Sequence, residues 1–115
     1  MPLDENMRKS RNDEHVANKF LSLVSSARSR GLTFNLELKD VRKLMSTNKC
    51  FYSGVELSKV VGAPNQHTID RVDNDKGYVK GNVVACSSRM NYLKKDMNVA
   101  EIVMIYKGLK KKNII

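Results

Sequence analysis

The stretch from His67 to Lys94 constrains the fold most, because it encodes three consecutive secondary-structure elements in a short segment. Apolar and polar residues alternate from Thr68 to Val72, which predicts a strand. The turn-forming sequence DNDKG follows, and the segment 82–86, which is apolar after Asn82, predicts a second strand. The residues after it have helical spacing, and either of two adjacent serines, Ser87 and Ser88, can cap the first helical turn. The sequence therefore predicts a β-hairpin followed directly by a helix.

Two polar residues of this stretch are candidates for a metal site. Asp70 lies on the first predicted strand, and Asn91 lies one turn into the predicted helix. If the helix packs across the hairpin, the carboxylate and the carboxamide can meet at one cation. Oxygen ligands together with water suit Mg²⁺ or Mn²⁺ better than Zn²⁺. The pattern therefore predicts a magnesium-type site, with Mn²⁺ as the alternative ion.

Length and cysteine content set the class of protein. A chain of 115 residues predicts one domain with a modest core. It contains no apolar run long enough for a membrane span, and its polar start does not resemble a secretory signal, so we expect a cytoplasmic protein. Cys50 and Cys86 are too few for a four-cysteine zinc site, so no structural zinc is expected. Reduced, buried thiols are favoured over a disulfide between adjacent strands.

The charge of the chain indicates its partner. Lys and Arg number 21 against 12 Asp and Glu, which gives a formal net charge of +9. Such a surface attracts polyanions, because each neutralised phosphate releases counterions. A soluble protein with a lysine-rich face is the plainer interpretation. An acidic membrane surface is disfavoured, because no predicted helix combines a basic face with a broad exposed apolar one. Nucleic acid is the favoured partner.

The remaining segments predict an α+β domain. Residues 1–13 are polar and are expected to be flexible, and a single domain is expected over residues 14–112. Apolar spacing predicts an amphipathic helix from Glu14 to Arg30, closed by Gly31, and a second helix that starts at about Leu38 and ends near residues 46–48. A capping box at Asn98 and Glu101 predicts a further helix. Its apolar positions predict that it faces the core: Val99, Ile102, Val103, Tyr106 and Leu109.

The central stretch resembles the HNH, or ββα-metal, nuclease family, in its phage-type and intron-associated branch. Three motifs carry the resemblance: C-x-x-[ST]-G-x-x-L, then D-R-x-D-x-x-x-G-Y-x-x-x-N-V, then N-x-x-K. In this sequence they are Cys50, Ser53, Gly54 and Leu57; Asp70, Arg71, Asp73, Gly77, Tyr78, Asn82 and Val83; and Asn91 and Lys94. The implied fold is a ββα-metal unit at about 66–96, flanked by N-terminal helices and a C-terminal helix. The branch also implies a phage or mobile-element origin.

The resemblance implies a role for several residues. Asp70 and Asn91 occupy the positions of metal ligands, and Asn82 occupies the position of the structural asparagine that holds the loop between the strands. Family members use one divalent cation to stabilise the leaving 3′ oxygen, while a histidine activates water. The implied function is a Mg²⁺-dependent endonuclease that nicks or cleaves double-stranded DNA, acting as a monomer or a homodimer.

The sequence departs from the family at the general base. The histidine that most often follows the metal aspartate is replaced by Arg71, which cannot deprotonate water at neutral pH but could stabilise the pentacovalent phosphate. His67 shares the strand face of Arg71, about two residues (~7 Å) along the strand, and is the candidate general base. A metal-bound hydroxide is an alternative, as is loss of the activity.

Several alternatives stay open at the level of sequence. Arg89, Lys94 and Lys95 are the candidate phosphate contacts, although lysines on a helix often form only a solvated face. Asp70 could instead pair with Arg71 or Lys94. The rival functions are a catalytically inactive HNH-fold protein that binds nucleic acid or regulates, and a basic protein directed to RNA.

Overall fold

The computed structural model describes residues 4–115 and confirms the α+β class. In chain order the elements are α1 (Glu5–Arg30), α2 (Leu38–Ser46), β1 (His67–Arg71), β2 (Val83–Ser87), α3 (Ser88–Lys94) and α4 (Val99–Lys111). The two strands form one antiparallel sheet. Within the described range, no helix has both the length and the apolarity needed to cross a membrane.

The hairpin and the helix after it occur where the sequence predicts them. The strands pair so that Thr68 lies opposite Cys86 and Asp70 lies opposite Val84. Ser87 ends β2 and caps α3, since its hydroxyl oxygen accepts a hydrogen bond from the backbone N–H of Met90. Because the cap is the last strand residue, α3 starts without a linker and packs against both strands. The cap thus fixes which face of α3 meets the sheet.

Helix α1 begins at Glu5, well before the predicted start at Glu14. The carboxylate of Asp4 caps the new start by accepting a hydrogen bond of 2.8 Å from the N–H of Met7. Farther along, Arg42 of α2 forms a 2.8 Å ion pair with Asp13 of α1. Residues 5–13 of the segment expected to be flexible are thus helical, and residues 1–3 lie outside the described range. The apolar pattern failed here because these turns face solvent and need no apolar stripe.

The core joins the N-terminal helices to the loop between the strands. Its buried members are Val16, Leu23, Ala27, Leu36, Val41 and Tyr78. Phe34 packs edge-on against Phe20, with ring centres 5.3 Å apart, and lies next to Tyr78. The backbone of the loop is also tied to residues 33–35, because Tyr78 donates to the carbonyl of Thr33 at 2.8 Å and accepts from Asn35 at 3.1 Å. The N-terminal half therefore supports the loop through both side chains and backbone.

Helix α4 has its predicted start but not its predicted packing. The capping box is present, with Asn98 and Glu101 each accepting from the backbone of the other. Nevertheless, no residue of α4 is buried among the described residues, and Tyr106 is 51% exposed. The expectation of a core-facing helix is wrong. Helical spacing identifies an apolar face but not what covers it, and the chain turns away at Lys95, whose φ is 45°.

Candidate functional site

The two predicted metal ligands lie on the same face of the hairpin. Residues 68 and 70 of β1 face α3, as the two-residue period of a strand requires. The amide nitrogen of Asn91 donates to Thr68 Oγ1 at 3.2 Å, and Lys94 Nζ lies 3.1 Å from Asp70 Oδ2. Asn91 and Lys94 are three residues apart on α3, so both side chains project over β1. We call these four residues and Tyr52 the Asp70 cluster: Tyr52, Thr68, Asp70, Asn91 and Lys94.

A buried ion pair dominates this cluster. Asp70 is 9% exposed and Lys94 is 4% exposed. Oδ2 of Asp70 accepts a 2.7 Å hydrogen bond from the hydroxyl of Tyr52, and Lys94 also donates to the backbone carbonyl of Arg71 at 3.0 Å. Burial and the hydrogen bond to Asp70 raise the pKa of Tyr52 well above its usual value. The carboxylate is therefore satisfied by two donors of the protein itself.

The residues of the cluster do not fit a divalent cation in this arrangement. A carboxylate and a carboxamide are suitable donors for Mg²⁺, and they lie on the right face. However, the ammonium of Lys94 already neutralises Asp70 from 3.1 Å, and it would repel a second cation brought to the same oxygen. The predicted alternative, in which Asp70 pairs with Lys94, is the arrangement found.

Lys94 is consequently not a surface contact for phosphate. Its predicted role required an exposed ammonium, and the side chain is buried under α3. Arg89 and Lys95, the other two predicted contacts, are exposed. The ammonium of Lys95 lies 4.8 Å from the centre of the Tyr92 ring, at the open end of α3. Two of the three predicted contacts are thus accessible to a polyanion.

His67 lies on the opposite side of the hairpin from the Asp70 cluster. Its Nε2 is 2.9 Å from the carbonyl oxygen of Leu44 in α2. Since a carbonyl only accepts, Nε2 carries the hydrogen and donates it. The sequence correctly grouped His67 with the face of Arg71, but that face packs towards α2. This position does not fit the predicted role of general base for a reaction at Asp70.

Arg71 holds the turn between the strands. Its Nη1 donates to the backbone carbonyls of Asn74 and Lys76, each at 2.8 Å, and its guanidinium carbon lies 5.6 Å from the centre of the Tyr78 ring. A guanidinium committed to two carbonyls on this face is directed away from Asp70. The geometry therefore gives Arg71 a loop-holding role in place of the predicted stabilisation of a phosphate.

Asn82 makes the loop contacts that its motif position implies. Its side chain is buried, accepts from the N–H of Asp73 at 2.9 Å, and donates to the carbonyls of Asp73 and Gly77 at 3.1 and 2.9 Å. The carboxylate of Asp73 in turn accepts from the N–H of Asp75 at 2.9 Å. Arg71 and Asn82 therefore fix the same loop from its two sides.

Tyr52 is a cluster member that sequence reasoning missed. The segment 50–57 lies beside the hairpin, where the N–H of Phe51 donates to the carbonyl of Ala85 at 2.9 Å. The sequence did contain a signal for Tyr52, namely a phenol hydroxyl in a segment that packs against β2. No motif position drew attention to Tyr52, because the resemblance uses Cys50, Ser53 and Gly54 in this segment.

Two free, buried thiols lie near the cluster, Cys50 in the segment 50–57 and Cys86 on β2. Burial tends to raise the pKa of Cys50, but hydrogen bonds from Ser53 and from the backbone of Ser87, Ser53 and Tyr52 outweigh burial and lower the pKa to about 7. Burial raises the pKa of Cys86 to about 11, and the negative charge of Asp70 adds to the effect. The two thiols are therefore expected to titrate in separate pH ranges.

This difference predicts a pH dependence of stability. The folded pKa of Cys50 is lower than the reference value of 9.0, so its stabilising effect is full above pH 9 and is lost as the pH falls through about 7. We expect the free energy of unfolding to rise between pH 7 and 9, by at most about 1.4 kcal/mol per unit of pKa difference. Urea titrations across this range measure it. In Cys50→Ser the rise should disappear, and an unchanged rise would contradict the assignment.

Two viral proteins are similar to this chain in sequence. An uncharacterized 29.0 kDa protein in the dda-modA intergenic region of Enterobacteria phage T4 is 29% identical over 79 residues, which are 69% of this chain and 32% of that protein. The uncharacterized protein R423 of Acanthamoeba polyphaga mimivirus is 28% identical over 89 residues, which are 77% of this chain and 16% of that protein. The chain thus spans a third or less of either relative. No family model and no solved structure matches it.

Proposed function

We propose that this protein is a nucleic-acid-binding module in which a buried ion pair occupies the place where an HNH-type nuclease would hold its metal. The Lys94–Asp70 pair carries this proposal, because it satisfies the only carboxylate on the hairpin face within the described residues of β1 and α3. The fold and the loop contacts of Asn82 support a retained ββα architecture. The viral relatives support a phage or mobile-element origin.

The distribution of charge supports nucleic acid as the partner. Of the 21 lysines and arginines, all except Lys19, Arg71 and Lys94 are exposed. Exposed ammonium and guanidinium groups can each replace a counterion on a phosphate backbone. Inside the hairpin unit, by contrast, the one buried ammonium is already neutralised. The described residues therefore offer positive charge outward, while the one carboxylate on β1 is paired with Lys94.

Binding is tested with a fluorescent 20-base-pair duplex and a structured RNA of similar length, by anisotropy at stated salt concentrations. We expect duplex binding whose affinity falls about a hundredfold between 50 and 200 mM salt, as for roughly four phosphate contacts. Competition between the two ligands decides DNA against RNA. Affinity that is absent at 50 mM salt, or that does not change with salt, would overturn the proposal.

A second candidate function, the metal-dependent endonuclease, is favoured by one observation: Asp70 and Asn91 lie on one face of the hairpin unit. The test is supercoiled plasmid with Mg²⁺ or Mn²⁺, with Asp70→Ala and the exposed matched control Asp96→Ala. Binding without nicking supports the module. Nicking that EDTA and Asp70→Ala abolish, and that Asp96→Ala preserves, would establish the enzyme in its place.

A further inference from the structure

A cavity of about 460 Å³ lies between α1, α2 and the segment that leads into β1, on the side of the hairpin away from the Asp70 cluster. Its wall contains both histidines of the chain, His15 and His67, together with Arg42 and Lys59. Among residues 4–115, no aspartate or glutamate lines it. The cavity is therefore a half-open cleft with cationic and imidazole groups in its lining, and the carboxylate of Asp13, which pairs with Arg42, lies outside that lining.

We propose that this cavity binds a phosphate group, carried either by a free nucleotide or by a nucleic-acid strand. Its volume falls within the usual 300–1,000 Å³ of small-molecule sites. The lining contains a guanidinium and an ammonium, which are groups that recognise phosphate oxygens, the first through its planar fork and the second as a point charge. The amides of Asn12 and Gln66 line the same cavity and can contact a sugar or base.

Two local contacts act on this site. Arg42 is paired with Asp13 at 2.8 Å, but both side chains are nearly half exposed, and such pairs contribute little. An anion can therefore replace Asp13 at the guanidinium of Arg42 at a small cost in free energy. The second contact is made by His67 at the C-terminal end of α2, where the terminal backbone carbonyls would repel an anion. The N–H of His67 already donates to the carbonyl of Leu44, so one of these carbonyls is satisfied. Nδ1 is then an acceptor, which suits a hydroxyl or N–H of a sugar or base and not a phosphate oxygen.

This inference goes beyond the proposed function, because a nucleotide site does not require binding of a nucleic-acid strand. The test follows the ¹H–¹⁵N resonances of the full chain during titration with inorganic phosphate, with adenosine monophosphate and with a short duplex. Phosphate or the mononucleotide should shift resonances of Asn12, His15, Gln66 and His67. Shifts at these residues with the mononucleotide assign a free nucleotide, and shifts with the duplex alone assign a strand phosphate.

The double variant Arg42→Gln, Lys59→Gln removes both permanent charges from the wall. We expect it to weaken the binding seen at the cavity by at least about tenfold, because two charge-assisted hydrogen bonds are lost. The matched control Lys107→Gln, Lys111→Gln removes the same charge from exposed positions of α4, and should leave this affinity unchanged. Each variant is checked for folding by its spectrum.

The proposal is overturned if none of the three probes shifts the cavity resonances, or if the two double variants weaken binding equally. If the duplex does not bind but phosphate or the mononucleotide still shifts the cavity resonances, the proposed function fails and this inference stands.

Discussion

Replacing Lys94 with methionine is expected to lower the free energy of unfolding by about 3–5 kcal/mol. The substitution keeps the length of the side chain but leaves the carboxylate of Asp70 buried, with only the hydroxyl of Tyr52 as a partner. It also leaves the backbone carbonyl of Arg71 without its side-chain donor. Urea unfolding followed by circular dichroism measures the change, and the midpoint should fall while the slope stays constant.

Two controls separate the ion pair from general damage to α3. The exposed neighbour Lys95, changed to methionine, should alter stability by no more than about 0.5 kcal/mol. The double variant Lys94→Met, Asp70→Asn should be more stable than Lys94→Met alone, because it removes the uncompensated charge and keeps an acceptor for Tyr52. If Lys94→Met and Lys95→Met destabilise the protein equally, loss of the buried Lys94–Asp70 pair is not the cause of the destabilisation.

Replacing Gly77 with alanine is expected to cost about 3 kcal/mol or more. A Cβ at this position would lie 2.1 Å from the carbonyl oxygen of Thr33, 2.7 Å from its nitrogen and 2.9 Å from its carbonyl carbon. All three atoms are backbone, so no side-chain rotation relieves the clash. The loop and residues 33–35 would have to separate, which breaks the hydrogen bonds between Thr33, Asn35 and Tyr78. A lower urea midpoint checks this expectation.

Gly108 supplies the matched control, because nothing lies within 4 Å of a Cβ added there. It lies inside α4, where alanine favours helix by up to about 1 kcal/mol over glycine. Gly108→Ala should therefore be neutral or stabilising. Equal destabilisation by the two glycine substitutions would mean that close approach of the backbone at Thr33 is not the cause.

The parts of the fold that sequence predicted are those set by local chemistry. Gly31 ends α1 with a φ of 66°, Ser87 caps α3, and Asn98 begins α4. Each of these depends on a few neighbouring residues, so the printed sequence contains the whole cause. The resemblance also implied that Asn82 holds the loop, and its side chain does contact the loop backbone. The two-residue period of β1 also grouped His67 correctly with Arg71.

The parts that failed depend on what packs against an element. The alternation of β1 shows which residues share a face, but it does not show that α2 covers the face of His67. For Lys94 the information was available: Asn91 was expected to face β1, and a residue three positions later faces it as well. An ion pair with Asp70 then follows from charge. Lys94 was predicted to contact phosphate because it flanks the proposed cation, and the alternative that the sequence left open, a pair with Asp70, is the arrangement found.

The attachment of the loop to residues 33–35 means that the hairpin and α3 are not a transplantable cassette. Residues 66–96, grafted alone onto another scaffold, would leave behind Thr33 and Asn35, which hydrogen-bond to Tyr78, and Tyr52, which hydrogen-bonds to Asp70. A two-stranded hairpin is marginally stable by itself in water. A graft of this unit must therefore include residues 33–35 and the segment 50–57, although both precede it in the chain.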